Sequence, residues 1–167
     1  MLGKIKTVPL RSIWKNEAYD FTPWLSENIT ELGESLGLEL EYEDKEVPVG
    51  PYSADILAKD AGNGQFVVIE NQLEKTNHDH LGKCITYSAV LNASAVIWVA
   101  SDFTEEHKKA LDWLNDHTSD EIAFYGVKIE LIKIDNSNPA IRFNIQNSPN
   151  NVVRQAAKRK EQGELTD

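Results

Sequence analysis

Two carboxylates stand on either side of a short turn. Asp55 lies in the run Tyr52-Ser-Ala-Asp-Ile-Leu-Ala-Lys59 and Glu70 in Phe66-Val-Val-Ile-Glu-Asn-Gln72, with Asp60-Ala-Gly-Asn-Gly64 between them. Placing Gly62 and Asn63 at the centre of a hairpin loop sets Lys59 opposite Phe66, Leu57 opposite Val68, and Asp55 opposite Glu70. Strand side chains alternate, so positions 55, 57, 59, 66, 68, 70 and 72 share one face. Two carboxylates directly opposite each other repel. An otherwise apolar hairpin that keeps them implies a cation between them. Mg²⁺ or Mn²⁺ fits the donors: hard cations take oxygen ligands and retain several waters. The backbone carbonyl of Asn71 is a third ligand candidate. An ion held there would acidify a water and polarise a phosphoryl group.

An Asp on one strand followed by an acid, any residue and a third polar residue on the next resembles the restriction-endonuclease-like, or PD-(D/E)XK, nuclease superfamily. Here the motif reads Asp55, then Glu70-Asn71-Gln72. The departure is Gln72, where the family usually has Lys; some active restriction enzymes of the superfamily also carry Gln there. The resemblance covers roughly residues 11 to 150. It implies a mixed α+β fold with an αβββαβ core, a mixed central sheet flanked by helices, and Mg²⁺- or Mn²⁺-dependent phosphodiester hydrolysis on DNA, endo- or exonucleolytic. It implies Asp55 and Glu70 as metal ligands and Gln72 as the group that positions water, since its amide both donates and accepts. Members often place an acid before the first helix, which makes Glu17 a candidate ligand for a second metal.

Further candidates lie downstream. Lys83 stands on the helix after the motif with Tyr87 at i+4, on the same face. Exonuclease-like members carry Gln and Tyr at that spacing, so Lys83 is a candidate catalytic cation and Tyr87 a substrate contact. His78-Asp79-His80 invites a metal reading, but i and i+2 on a helix do not share a face. His78 or His80 is instead a candidate phosphate contact. Trp24, Trp98 and Trp113 fit apolar stripes and are expected in the core. Trp14, between Arg11 and Lys15, is the tryptophan expected to touch nucleic acid.

These residues need elements to position them. Phe21–Leu36 reads as a helix with Thr22 as N-cap, Pro23 at N1 and Gly37 as its stop. Leu38–Glu43 alternates and reads as a half-buried strand. Val47–Pro51 reads as a turn, and the hairpin supplies two more strands. A helix capped by Thr76 or Asn77 runs to about Leu91. Ala95–Ala100 reads as an interior strand. A helix capped at Asp102 or Thr104 ends near His117, and strands follow at Lys128–Ile134 and Ile141–Ile145. The order is α-β-β-β-α-β-α-β-β.

The chain has 167 residues, 41% of them hydrophobic and 26% charged, as expected of one globular domain over residues 1–150. Residues 151–167 read as a basic tail, flexible or helical, with Arg154, Lys158, Arg159 and Lys160. No run approaches the ~20 apolar residues that span a membrane. The lone Cys84 and the lack of a signal peptide lead to the expectation of a cytoplasmic protein. The net charge of −10 opposes a nucleic-acid partner, since binders usually show a basic footprint. The charge is uneven: residues 1–16 carry four cations and no acid, and residues 17–74 carry fourteen acids against Lys45 and Lys59. Three readings remain: a DNA nuclease, a non-catalytic nucleic-acid- or protein-binding module on the same fold, and a nuclease that works only beside a basic partner domain or chain; a homodimer or a partner protein is the expected assembly besides DNA.

Overall fold

The computed structural model describes residues 1–149; the basic tail expected at 151–167 lies outside the described residues. A short strand, β1 (Ile5–Val8), opens the chain. Asn16 then caps a π-helical turn, Glu17–Phe21, its side chain accepting from the Tyr19 N–H. This turn runs directly into α1 (Thr22–Glu27), so the helical segment starts at Asn16 and not at Thr22. The expected single helix breaks at Asn28 and continues as α2 (Ile29–Leu36). Gly37 ends it in the left-handed region (φ 72°), a conformation that costs glycine no Cβ clash.

Strand β2 (Leu40–Val49) is longer than its alternating pattern indicates, and the expected turn shrinks to Gly50 and Pro51. Strands β3 (Tyr52–Asp60) and β4 (Gln65–Lys75) form the hairpin, with Lys59 opposite Phe66 and Leu57 opposite Val68 as its turn residues require. Helix α3 (His78–Val90) crosses to β5 (Ala95–Asp102), which pairs parallel with β4. Helix α4 (Glu105–His117) leads to β6 (Ala123–Ile134), parallel to β5, and β7 (Ala140–Asn147) folds back on β6.

The seven-stranded mixed sheet runs β1-β6-β5-β4-β3-β2, with β7 on the other edge of β6. The fold class is thus mixed α+β, and the expected α-β-β-β-α-β order is the order found. Strand parity divides the core. Ile56, Ala58, Val67 and Ile69 pack against Phe21, Leu25, Ile29 and Leu32 of the first helical segment. Leu57, Val68, Trp98 and Ala100 pack on the other face against Cys84 and Tyr87 of α3 and Leu111 of α4. The two apolar layers fix the sheet between helices and leave the open end of the β3–β4 hairpin between the first helical segment and α3. Among the described residues, no helix is long and apolar enough to cross a membrane.

Candidate functional site

The β3–β4 ladder holds register from Asp60 and Gln65 to Ile56 and Ile69. Past that point β4 stays with β5 to Gln72 opposite Ala100 and, after an irregularity, Lys75 opposite Asp102, while its edge toward β3 is taken over by carboxylates. Glu70 Oε1 accepts the Asp55 N–H at 3.1 Å, and Asp55 Oδ2 accepts the Asn71 N–H at 2.8 Å. Two residues on, Glu17 Oε1 accepts the Leu73 N–H at 2.6 Å. The π-helical turn at Glu17–Phe21 delivers this third acid from the far side of the chain. Three acids therefore satisfy backbone donors that a sheet partner would otherwise take.

Burial makes this arrangement electrostatically costly. Glu70 is only 2% exposed. Its desolvation, reinforced by the negative Asp55, pushes its carboxyl up to about 9. Desolvation also raises Asp55, against the pull of the Asn71 N–H, and Glu46 adds repulsion from β2. With Glu70 pushed up this far beside Asp55, the pair keeps one proton near neutral pH in the absence of a cation. Glu17 is raised as well, first by burial, with Asp55 contributing. Each member of the pair spends one named oxygen on a backbone N–H, leaving Asp55 Oδ1 and Glu70 Oε2 free of that duty. In a strand the N–H and C=O of one residue point to the same edge. The Asn71 carbonyl therefore faces the fork, as its N–H does. Among the described residues, no three His, Cys, Asp or Glu side chains converge into a complete metal site. The donor set suits a hard cation that draws its remaining ligands from a carbonyl, water and phosphate.

Helix α3 covers one side of the fork. Its cap is Asn77, whose Oδ1 accepts the His80 N–H at 2.9 Å. Lys83 forms an ion pair with Asp79 at 3.2 Å. Burial works against the Lys83 charge, but Asp79, Tyr87 and Glu70 outweigh it and the ammonium pKa is raised. Tyr87 is buried, its hydroxyl pKa raised by desolvation and by Glu70, and its ring lies 6.4 Å from that of Tyr52. The two histidines diverge, as their spacing requires. His80 feels Lys83 and Glu17, so it borders the acid cluster, whereas His78 turns to α4 and meets His107. Tyr52, His78, Asp79, Lys83 and Tyr87 line a cleft of about 310 Å³. A larger hollow of about 470 Å³ at the opposite end of β4, around Gly64 and Ser94, contains none of these groups.

Two expectations change. Gln72 is 1% exposed, and both ends of its amide are engaged: Oε1 accepts from the Trp98 indole at 3.3 Å and Nε2 donates to the Lys75 carbonyl at 3.0 Å. It braces β4 against β5, and its amide is committed to the sheet rather than turned toward the cleft. Trp14 is 5% exposed and packs against Phe21 and Trp24, with ring centroids at 4.9 and 5.2 Å. It is a core residue and not a stacking platform. Two residues in and behind the cleft went unremarked in the sequence. Tyr52, 59% exposed, looked like a strand start. His107 is buried in line with Leu111 and Asn115, and that i, i+4, i+8 spacing is the signal that would have flagged it.

No family model matches the chain, and no curated protein matches it. Among solved structures it is similar to a repair endonuclease from Pyrococcus abyssi, with a TM-score of 0.48 and 20% identity over 62% of this chain and 45% of that one. It is also similar to EndoMS in the EndoMS–dsDNA2 complex, with a TM-score of 0.48 and 17% identity over 65% of this chain and 43% of that one. SfsA of Pyrococcus furiosus, in complex with Ca²⁺, gives a TM-score of 0.41 and 14% identity over 71% of this chain and 58% of that one. The chain spans less than half the length of the first two.

Proposed function

We propose that this domain hydrolyses phosphodiester bonds in DNA with the help of Mg²⁺ or Mn²⁺. The observation that carries the reading is the pairing of Asp55 and Glu70 at the open end of the β3–β4 hairpin, where each carboxylate accepts a backbone N–H from the other's strand. A close acid pair with Glu70 buried, Asp55 half-buried and both pKa values raised, beside a cleft, is a functional arrangement more often than a structural one. Asp55, Glu70 and the Asn71 carbonyl would hold the ion, with Glu17 available to a second. Such an ion, when bound, acidifies water and neutralises charge building on the phosphoryl group.

The chain's own groups then have distinct tasks. Glu70 gives up the shared proton as the ion is taken, so both carboxylates serve as ligands. Lys83, facing the pair from α3, donates to a phosphate oxygen and offsets the negative charge of the transition state. Tyr87, His78 and His80 border the space next to it and contact the phosphate backbone. The positive charge usual at position 72 comes in this reading from Lys83. The test is cleavage of plasmid and single-stranded DNA with Mg²⁺ or Mn²⁺, against a chelator control and Asp55→Asn. Metal-dependent cutting lost in the variant supports the reading, and no cutting under any condition overturns it for the isolated chain.

A second reading, a binding module on the same fold, is favoured by Gln72. With its amide engaged by Trp98 and Lys75 and a net charge of −10, the chain lacks a motif-borne cation. Metal-dependent DNA binding without cleavage would select it.

A further inference from the structure

His107 sits in the first turn of α4 and is 5% exposed. Its Nδ1 lies 2.8 Å from Thr76 Oγ1 and 2.7 Å from Thr104 Oγ1, and its Nε2 lies 3.0 Å from Nδ1 of His78. Both threonine oxygens already accept a backbone proton: Thr76 Oγ1 from the Thr104 N–H, and Thr104 Oγ1 from the His107 N–H, each at 3.0 Å. Each hydroxyl still has its own proton to donate. His107 Nδ1 has one lone pair, and among the described residues it is the acceptor placed for the proton of the buried Thr76; the half-buried Thr104 hydroxyl can turn to water.

This hydrogen-bond count fixes the tautomers. His107 Nδ1 accepts and carries no proton, so the neutral ring holds its proton on Nε2. That proton goes to His78 Nδ1, which must then be an acceptor. His78 in turn holds its proton on Nε2, the nitrogen away from His107. The opposite pair of tautomers would leave the buried Thr76 hydroxyl proton without an acceptor. The surroundings agree. Burial, then the neighbouring His78, lowers the His107 pKa, against a smaller pull from Glu106 on the same helix. The indole of Trp98, 5.3 Å away from β5, closes the remaining side. His78 lines the same cleft as Lys83 and Tyr52.

We propose that His107 is a positioning residue that holds His78 as an Nε2–H donor to phosphate in the cleft beside the acid pair. The identity of the cleft's occupant rests on the phosphodiester reading above. The His78 Nε2–H and the Lys83 ammonium together form a two-point grip on a phosphate that does not depend on the metal.

The test is an imidazole ¹H–¹⁵N correlation spectrum of the full chain near pH 7.5, without metal, titrated with inorganic phosphate. The expected spectrum shows His78 and His107 both protonated at Nε2, with the His78 Nε2 signal moving as phosphate is added. His107→Leu is expected to leave His78 as a mixture of tautomers and to weaken phosphate binding about tenfold. His107→Gln, whose amide can donate to His78 Nδ1, is expected to recover most of that affinity. A wild-type His78 protonated at Nδ1 overturns the proposal, as does phosphate binding that leaves His78 unmoved. So does unchanged affinity in a folded His107→Leu chain. If His107→Leu does not fold, the wild-type spectrum alone still decides. A His78 that responds to phosphate in a chain that cuts no DNA supports this inference while sinking the hydrolytic reading.

Discussion

Asp55 and Glu70 each cap the other's strand: the Asp55 N–H donates to Glu70 Oε1 at 3.1 Å, and the Asn71 N–H donates to Asp55 Oδ2 at 2.8 Å. The two acids thus have a structural task besides any chemical one. They replace ladder hydrogen bonds where β3 leaves β4. Either acid could do that alone with little penalty. Two of them side by side, Glu70 buried and Asp55 half-buried, generate a repulsion that a proton or a cation must relieve.

The proton has a consequence for stability. An unfolded Glu70 titrates near 4.5, whereas the folded group is pushed up to about 9. Across that interval the unfolded chain has released a proton that the folded chain keeps. The pair's contribution is therefore fully present below pH 4.5 and is lost as pH rises through 9. Metal-free protein is expected to melt at steadily lower temperature from pH 5 to pH 9. Glu70→Gln, neutral throughout, is expected to flatten that slope and to be the more stable protein at pH 8 to 9. Calorimetry across this range in the presence of a chelator checks it. A wild-type melting temperature that stays constant or rises across the range contradicts a shared proton.

A cation should do the same work as the proton and displace it. Mg²⁺ or Mn²⁺ at about a hundred times its dissociation constant stabilises by roughly 2.7 kcal/mol, or roughly 5–10 °C in a domain of this size. Binding near pH 7 is expected to release about one proton, read by a pH indicator in weakly buffered solution. Asp55→Asn should abolish both responses. A variant that keeps its metal-induced shift would place the ion elsewhere.

The acid pair was legible in the sequence because it depends on a local turn. Once Gly62 and Asn63 centre the loop, the opposition of Lys59 and Phe66 follows, and strand parity carries Asp55 to Glu70. What the sequence could not show depends on neighbours distant along the chain. Trp14 sits between two cations but meets Phe21 and Trp24, and hydrophobic packing outweighs the flanking charge. Trp113 shares a helical stripe with Ala110 and Leu114, yet it is 59% exposed and stacks on His117 at 4.7 Å. The face that α4 buries is set by His107, Leu111 and Asn115. Strand β1 was passed over because its pairing lies far along the chain, Ile5 with Ile134. Gln72 looked free to hold a water because its partner Trp98 is 26 residues away.

That partnership leads to a different expectation for Gln72 than its place in the motif suggests. Gln72→Ala leaves the buried Trp98 indole N–H and the Lys75 carbonyl without their partners. The expected cost is about 1–3 kcal/mol of folding stability, measured by denaturant unfolding, with the metal-induced rise in melting temperature retained. Gln72→Lys puts a charge into a site that is 1% exposed and is expected to cost at least as much. A Gln72→Ala chain as stable as the wild type would mean that the amide contacts contribute nothing to the fold.

Lys83 is where the missing positive charge is expected to show itself. Its ammonium is raised by Asp79, Tyr87 and Glu70 against the effect of burial, so it stays protonated through the physiological range. Its charge acts on the acid pair from α3, outside the motif. Lys83→Ala is expected to lower metal-dependent DNA cleavage by about 10²-fold or more, the size seen when one donor to a developing charge is removed. Metal binding should survive, because the proposed ligands lie on β3 and β4. Removing a cation from beside the pair should also push the Glu70 proton affinity up, since Lys83 opposes that rise in the wild type. The metal-free melting temperature of Lys83→Ala is then expected to fall with pH at least as steeply as that of the wild type. Single-turnover cleavage assays of Lys83→Ala and Gln72→Ala, side by side with saturating Mn²⁺, separate the two residues. If Gln72→Ala remains folded and loses more rate than Lys83→Ala, then the motif glutamine is the working group and Lys83 is an ordinary helix lysine paired with Asp79.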